Sequence, residues 1–134
     1  MFAQLMPSLL IGLAGAFGTV LRYWIGLAIA HWNGVLPWAT MMINITGSFL
    51  IVFFGDLTAL ESKFPLSETM RTIIMVGFFG GYTTFSSFSL QTINQLKDGH
   101  PIHALLHIGL TVILCIIGAA AGYMAAEVIN RTIP

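Results

Sequence analysis

The sequence predicts an all-α membrane protein of four transmembrane helices, and three observations carry that reading. Of its 134 residues, 57% are hydrophobic and only 7% are charged, whereas soluble domains carry about 25% charged residues. Four apolar runs each reach the roughly 20 residues needed to cross a hydrocarbon core of about 30 Å. The few charges gather between those runs or at their ends, with Arg22 as the exception. The formal net charge is zero, which argues against nucleic-acid binding and against a polybasic membrane-surface role.

The chain reads as a single four-helix domain, 1–134. The first span runs over about 6–30. Met1 to Met6 lacks a positive n-region, and the apolar run behind it is too long for a signal peptide, so this span is expected to be retained. No lipidation motif is visible. A turn containing Asn33-Gly34 leads to Pro37, a residue suited to a first helical turn, and a second span over about 37–57. Asp56, Glu61, Lys63, Pro65, Glu68 and Arg71 mark the main aqueous loop. The third span covers about 69–96, Lys97-Asp98-Gly99 makes a turn, and Pro101 opens the fourth, about 101–127.

Four spans place both termini and the central loop on one side, with Lys63, Arg71 and Arg131, against Lys97 and Arg22 on the other. A fixed topology normally shows a clear lysine and arginine excess in the cytoplasmic loops. A near-balanced count permits insertion both ways, and hence an antiparallel dimer with its axis in the membrane plane. It equally permits one orientation set by helix length and the insertion machinery.

Small and polar residues recur at helical spacing on three spans. They are Gly12, Gly15, Thr19, Arg22 and Gly26; Thr40, Asn44, Gly47 and Gly55; and His107, Thr111, Cys115, Gly118 and Gly122. Steps of three and four put each set on one helix face. For the glycines, close helix packing is the simpler account. Arg22 lies roughly 12 Å from its helix end at the usual rise. A buried arginine there costs about 3 kcal/mol or more, so a wet vestibule suits it better than lipid.

The third span is the informative one. Residues 77–89 read GFFGGYTTFSSFS, three glycines followed by hydroxyl residues at mid-span. That composition favours a broken helix, which is tolerated in a membrane only where protein or a polar cavity satisfies the backbone. Released carbonyls suit a small cation, and hydroxyls and freed N–H groups suit an anion. Phe85 and Phe88 share a face, and the positive edges of their rings would favour an anion that has shed water. A packing face greased by phenylalanines is the competing reading of the same residues. Asn44, Thr40, Thr83, Thr84, Ser86, Ser87 and Thr111 supply hydrogen-bond donors. No acid lies deep in a span, which argues against a proton-coupled cation exporter. Cys115 is the sole cysteine, so no intrachain disulfide forms. The four histidines lack the thiolate or carboxylate company of a metal site. Residue chemistry alone points to a small anion and no further.

The chain resembles the Fluc/CrcB family of fluoride channels over nearly its whole length. The pieces that carry the resemblance are the Gly12, Gly15, Gly18, Arg22 series, the Thr40, Asn44, Gly47 series and, most specifically, GFFGGYTTFSSFS at 77–89. The resemblance implies passive fluoride export that relieves fluoride toxicity, located in a bacterial inner membrane. It also implies an antiparallel dual-topology homodimer in the lipid bilayer, with two pores and a central structural sodium ion (Na+). On it, Asn44 looks like the pore asparagine and Phe85 and Phe88 like the pore phenylalanines. Thr40, Ser86 and Ser87 match polar positions on the fluoride route, and Arg22 matches a vestibule arginine. His107 and Thr111 match a pore-adjacent His/Ser pairing, and Gly80 and Thr83 fall where carbonyls would meet sodium. Ala39 and Ser87 stand where glycine and threonine are common.

Two other classes stay in view. A small four-helix drug or cation exporter would need a glutamate inside the first span, and there is none. A non-conducting structural subunit would use the same stripes only to pack helices. No Ser/His/Asp arrangement, metal cluster or phosphate-cradling loop suggests an enzyme.

Overall fold

The computed structural model describes residues 2–132. Five helices account for almost all of it: α1 (Phe2–Ile29), α2 (Trp38–Leu57), α3 (68–82), α4 (Phe85–Lys97) and α5 (Pro101–Thr132). Helices α3 and α4 together form one span, so 4 helical segments are long and apolar enough to cross a membrane.

Each junction has a local cause. Asn33 caps α2 from a distance, its Oδ1 accepting the Ala39 N–H at 3.0 Å. Ser67 starts α3 by accepting the Met70 N–H on its hydroxyl. The turn after α4 closes as a Schellman motif. Gly99 donates to Leu96 O at 3.1 Å and His100 to Gln95 O at 2.8 Å. Gly99 sits at φ +78, a conformation that a side chain disfavours.

The glycine stripes join the helices in two pairs. A Cβ on Gly18 would strike the Phe78 carbonyl, and one on Gly81 the Gly15 carbonyl. A Cβ on Gly77 would lie 2.7 Å from Ile11 O. Helices α1 and α3 therefore meet backbone to backbone. On the other side, Gly118 and Gly122 let α5 approach the α2 backbone at Ile45 and Phe49. Close approach of this kind supplies the dispersion contact that holds helices together where lipid removes the hydrophobic drive.

Helix α2 is the most enclosed span and α1 the least, with 33% and 6% of their most apolar windows buried. Leu5, Leu9, Leu13, Phe17, Val20 and Leu27 on α1 are exposed, as are Ile102, Leu105, Val112 and Ile116 on α5. In water such a surface would aggregate; in a bilayer it is the expected face toward lipid or another subunit. Hydroxyls within the spans bond back to carbonyls one turn earlier, as Ser48 does to Asn44 O and Thr46 to Met42 O, both at 2.7 Å.

Candidate functional site

The third span is interrupted, as its composition predicts, but the interruption falls on the threonines and not on the glycines. Gly77, Gly80 and Gly81 all lie inside helical backbone, Gly77 within a π-helical stretch, Ile73–Phe79. The chain leaves the helix at Thr83 (ψ 161) and Thr84 (φ -152, ψ 107), then re-enters it at Phe85. Gly77 and Gly81 serve the packing against α1, which brings the break to its place, while Gly80 faces open space.

Asn44 holds the break open. Its Nδ2 donates to Thr84 O at 3.0 Å, and its Oδ1 accepts the Thr84 N–H at 2.8 Å. Both polar groups of one peptide residue are thereby satisfied by one carboxamide, as a neighbouring strand would satisfy them. The consequence reaches one turn back. In a continuous helix the Thr84 N–H would bond to Gly80 O. Here it is committed to Asn44, so among the described residues Gly80 O accepts no hydrogen bond. Gly47 leaves room for this arrangement, since a Cβ there would strike the Thr83 methyl. Tyr82, 5% exposed, closes over the same spot and bonds Thr46 Oγ1 at 2.9 Å.

Thr84 also starts the next helix. Its Oγ1 accepts the Ser87 N–H at 3.1 Å and donates to Ser87 Oγ at 3.0 Å, with Ser86 Oγ at 3.2 Å. The positive end of α4 thus opens at the middle of the span, where an anion is favoured.

A pocket lies on each side of the break. One, of about 350 Å³, is lined by Asn44, Thr83, Phe85, Phe88 and Thr111 together with apolar residues of α2 and α5. The other, of about 430 Å³, is lined by Thr19, Arg22, Thr40, Thr84 and Ser87 among others. The residues named from sequence are therefore brought into two groups. Phe85 and Phe88 have ring centroids 5.3 Å apart at a tilt of 48°. Phe88 is buried and Phe85 is 77% exposed. His107 is fully buried beside Phe88, ring to ring at 4.9 Å, and does not line either pocket. Ser86 and Gly80 lie on the exposed side of the break.

Sequence reasoning passed over two polar residues. Gln91, one turn past Ser87, donates to Thr40 Oγ1 at 2.8 Å and leaves its own Oε1 buried without a partner among the described residues. Thr92 bonds both Phe88 O and the His107 ring. The signal for both was present: an amide and a hydroxyl set at helical spacing from the aromatic pair.

Comparison with known proteins agrees in extent and kind. Residues 9–123 match the family described as CrcB-like protein, Camphor Resistance (CrcB). A relative from Methylocella silvestris, named fluoride-specific ion channel FluC, is 42% identical over 127 residues, 94% of this chain and 97% of its own. One of the same name from Paramagnetospirillum magneticum is 43% identical over 123 residues, 91% of this chain and 96% of its own. Another, from Methylobacterium radiotolerans, is 42% identical over 118 residues, covering 88% and 82% of the two chains.

Proposed function

The chain belongs to the CrcB/FluC family of fluoride channels, which are not enzymes, and from that premise we propose that it conducts fluoride passively across the membrane and so relieves fluoride toxicity. The observation that carries the reading is the Asn44 clamp. It keeps the third span open at its middle and sets the start of α4 beside the phenylalanine pair.

Fluoride is small and strongly hydrated, so leaving water demands replacement hydrogen bonds and positive potential. Arg22 in the second pocket raises the local anion concentration. Thr40, Ser87 and Ser86 supply hydroxyls on the approach to the break. At the break the start of α4 and the remaining N–H of the Asn44 amide face the ion. Beyond it the edges of Phe85 and Phe88 and the hydroxyl of Thr111 take over. His107 stands behind Phe88 on the same route. Conduction requires that no single site hold the ion too tightly, and these groups are spread along the route.

The channel is a homodimer in this reading. Phe85, Ser86 and Gly80 are exposed at mid-span in one chain, and a serine hydroxyl and a bare carbonyl facing lipid would be costly. A second copy covers them. The balanced charge count permits two copies of opposite orientation, as the resemblance implies, and the membrane is the bacterial inner membrane.

A sodium ion at the centre of the dimer fits the residues present. Hard cations take oxygen ligands, and the Gly80 and Thr83 carbonyls accept no hydrogen bond among the described residues. Two such carbonyls from each chain would hold the ion, which supplies a fixed positive charge and ties the two copies together.

Two measurements test the proposal. Protein in liposomes with a potassium ionophore should release fluoride rapidly, as read by a fluoride electrode, and chloride slowly. Comparable chloride release removes the selectivity, and no release of either leaves a structural subunit. Drug extrusion coupled to protons would restore the exporter reading. Single cysteines in the loop at 61–67, on a Cys115→Ala background, should react with impermeant reagents from both membrane faces. Labelling from one face alone defeats the dual-topology arrangement.

A further inference from the structure

Every polar atom of Thr84 is engaged, and the count of protons around its hydroxyl decides which neighbour is left free. Asn44 takes the backbone N–H and C=O at 2.8 and 3.0 Å, which fixes the residue in place. Around Oγ1 stand the Ser87 N–H at 3.1 Å, Ser87 Oγ at 3.0 Å and Ser86 Oγ at 3.2 Å. A hydroxyl gives one proton and receives two. The Ser87 N–H can only donate, so it takes one lone pair of Oγ1. Toward Ser87 Oγ it is Thr84 that donates, and its single proton goes there. Ser86 then donates to Thr84 and fills the second lone pair. Thr84 lines the second pocket, yet its hydroxyl is saturated and has nothing left for an ion.

Ser87 is left in the opposite condition. Its oxygen receives the Thr84 proton, and its own proton has no acceptor among the described residues. It lines the same pocket as Arg22 and Thr40. A hydroxyl donor without an acceptor, in a pocket that also holds a guanidinium, suits an anion. Receiving a hydrogen bond also polarises the O–H that gives the next one, by about 10–30% per bond. The Ser86, Thr84, Ser87 series is such a chain, and Ser87 is its donating end.

We infer that Thr84 is a positioning residue whose hydroxyl holds Ser87 Oγ as an acceptor and so aims the Ser87 proton at an anion in the second pocket. The inference rests on the fluoride-channel reading. It separates two hydroxyls that are equivalent in composition: Thr84 is the frame, and Ser87 is the donor that meets the ion.

A double-mutant cycle tests this, because a residue that acts through another loses its effect once the other is removed. In liposomes Ser87→Ala should lower fluoride flux about tenfold, which corresponds to ~1.4 kcal/mol. Thr84→Val should do the same in the parent, yet change the Ser87→Ala protein by less than about threefold. Thr84→Ser keeps the hydroxyl and should stay within about twofold of the parent. Size-exclusion chromatography checks that each variant assembles. An equal loss from Thr84→Val in both backgrounds would make Thr84 a helix cap alone and overturn the inference. Equal damage in Thr84→Ser, or parent-like flux in Ser87→Ala, would overturn it as well. Those two variants still decide should Thr84→Val fail to assemble. A parent protein that moved no fluoride would instead defeat the channel reading itself, and this inference with it.

Discussion

Replacing Asn44 by alanine is expected to lower fluoride flux about a hundredfold or more, which corresponds to ~2.8 kcal/mol at ~1.4 kcal/mol per factor of ten. The size follows from what the carboxamide does. It satisfies both the N–H and the C=O of Thr84 at 2.8 and 3.0 Å, and Asn44 is 9% exposed. Each buried backbone group left unmet costs roughly 1–3 kcal/mol. The chain has an escape from that cost, and the escape is what destroys function. With Asn44 gone, the Thr84 N–H can turn back to Gly80 O and close the helix. Closure removes the mid-span helix start and occupies the carbonyl proposed for sodium. The variant should therefore remain folded and membrane-inserted while conduction is lost. Efflux from liposomes, with size-exclusion chromatography as the check on assembly, reads both. Flux within about twofold of the parent would mean that the clamp is not what keeps the route open, since so small a change is under ~0.5 kcal/mol.

The four spans were legible because membrane insertion is decided by apolar length, a property of the sequence itself. The packing glycines were legible for a similar reason: spacing puts Gly118 and Gly122 on one face, and the structure presses that face against the α2 backbone. The position of the break was less so. Proline apart, glycine is the residue that most weakens a helix locally, and the expectation of a break leaned on Gly77, Gly80 and Gly81 ahead of the hydroxyl run. Yet Gly77 and Gly81 are held helical by contact with α1, and the helix yields after Thr83 because a side chain 40 residues away takes both peptide groups of Thr84. Propensity cannot report a competitor from another helix. The partners of Gln91 and Thr92 were hidden in the same way, since Thr40 and His107 reach them only once α2 and α5 have packed.

Phe85→Ile is the sharper of the two tests of the aromatic pair, and it should reduce fluoride flux by at least tenfold, ~1.4 kcal/mol. Isoleucine keeps the apolar bulk and removes the ring, and with it the positive edge that faces the anion. At Phe88 the same change is harder to interpret. That ring is 7% exposed and packs on His107 at 4.9 Å, so Phe88→Ile also disturbs the core, by about 1 kcal/mol for a poorly fitted apolar swap. Phe85 is 77% exposed in the single chain and has little of its own fold to lose. A loss of flux there, with assembly unchanged, would belong to the ion route and not to stability. If the route passes both ring edges, each variant should slow fluoride without admitting chloride, because losing a favourable edge adds no new ligand for the larger ion. Parent-like flux in both variants would mean that the rings only line the packing face. The anion would then have to cross the middle of the span on hydroxyls and the start of α4 alone.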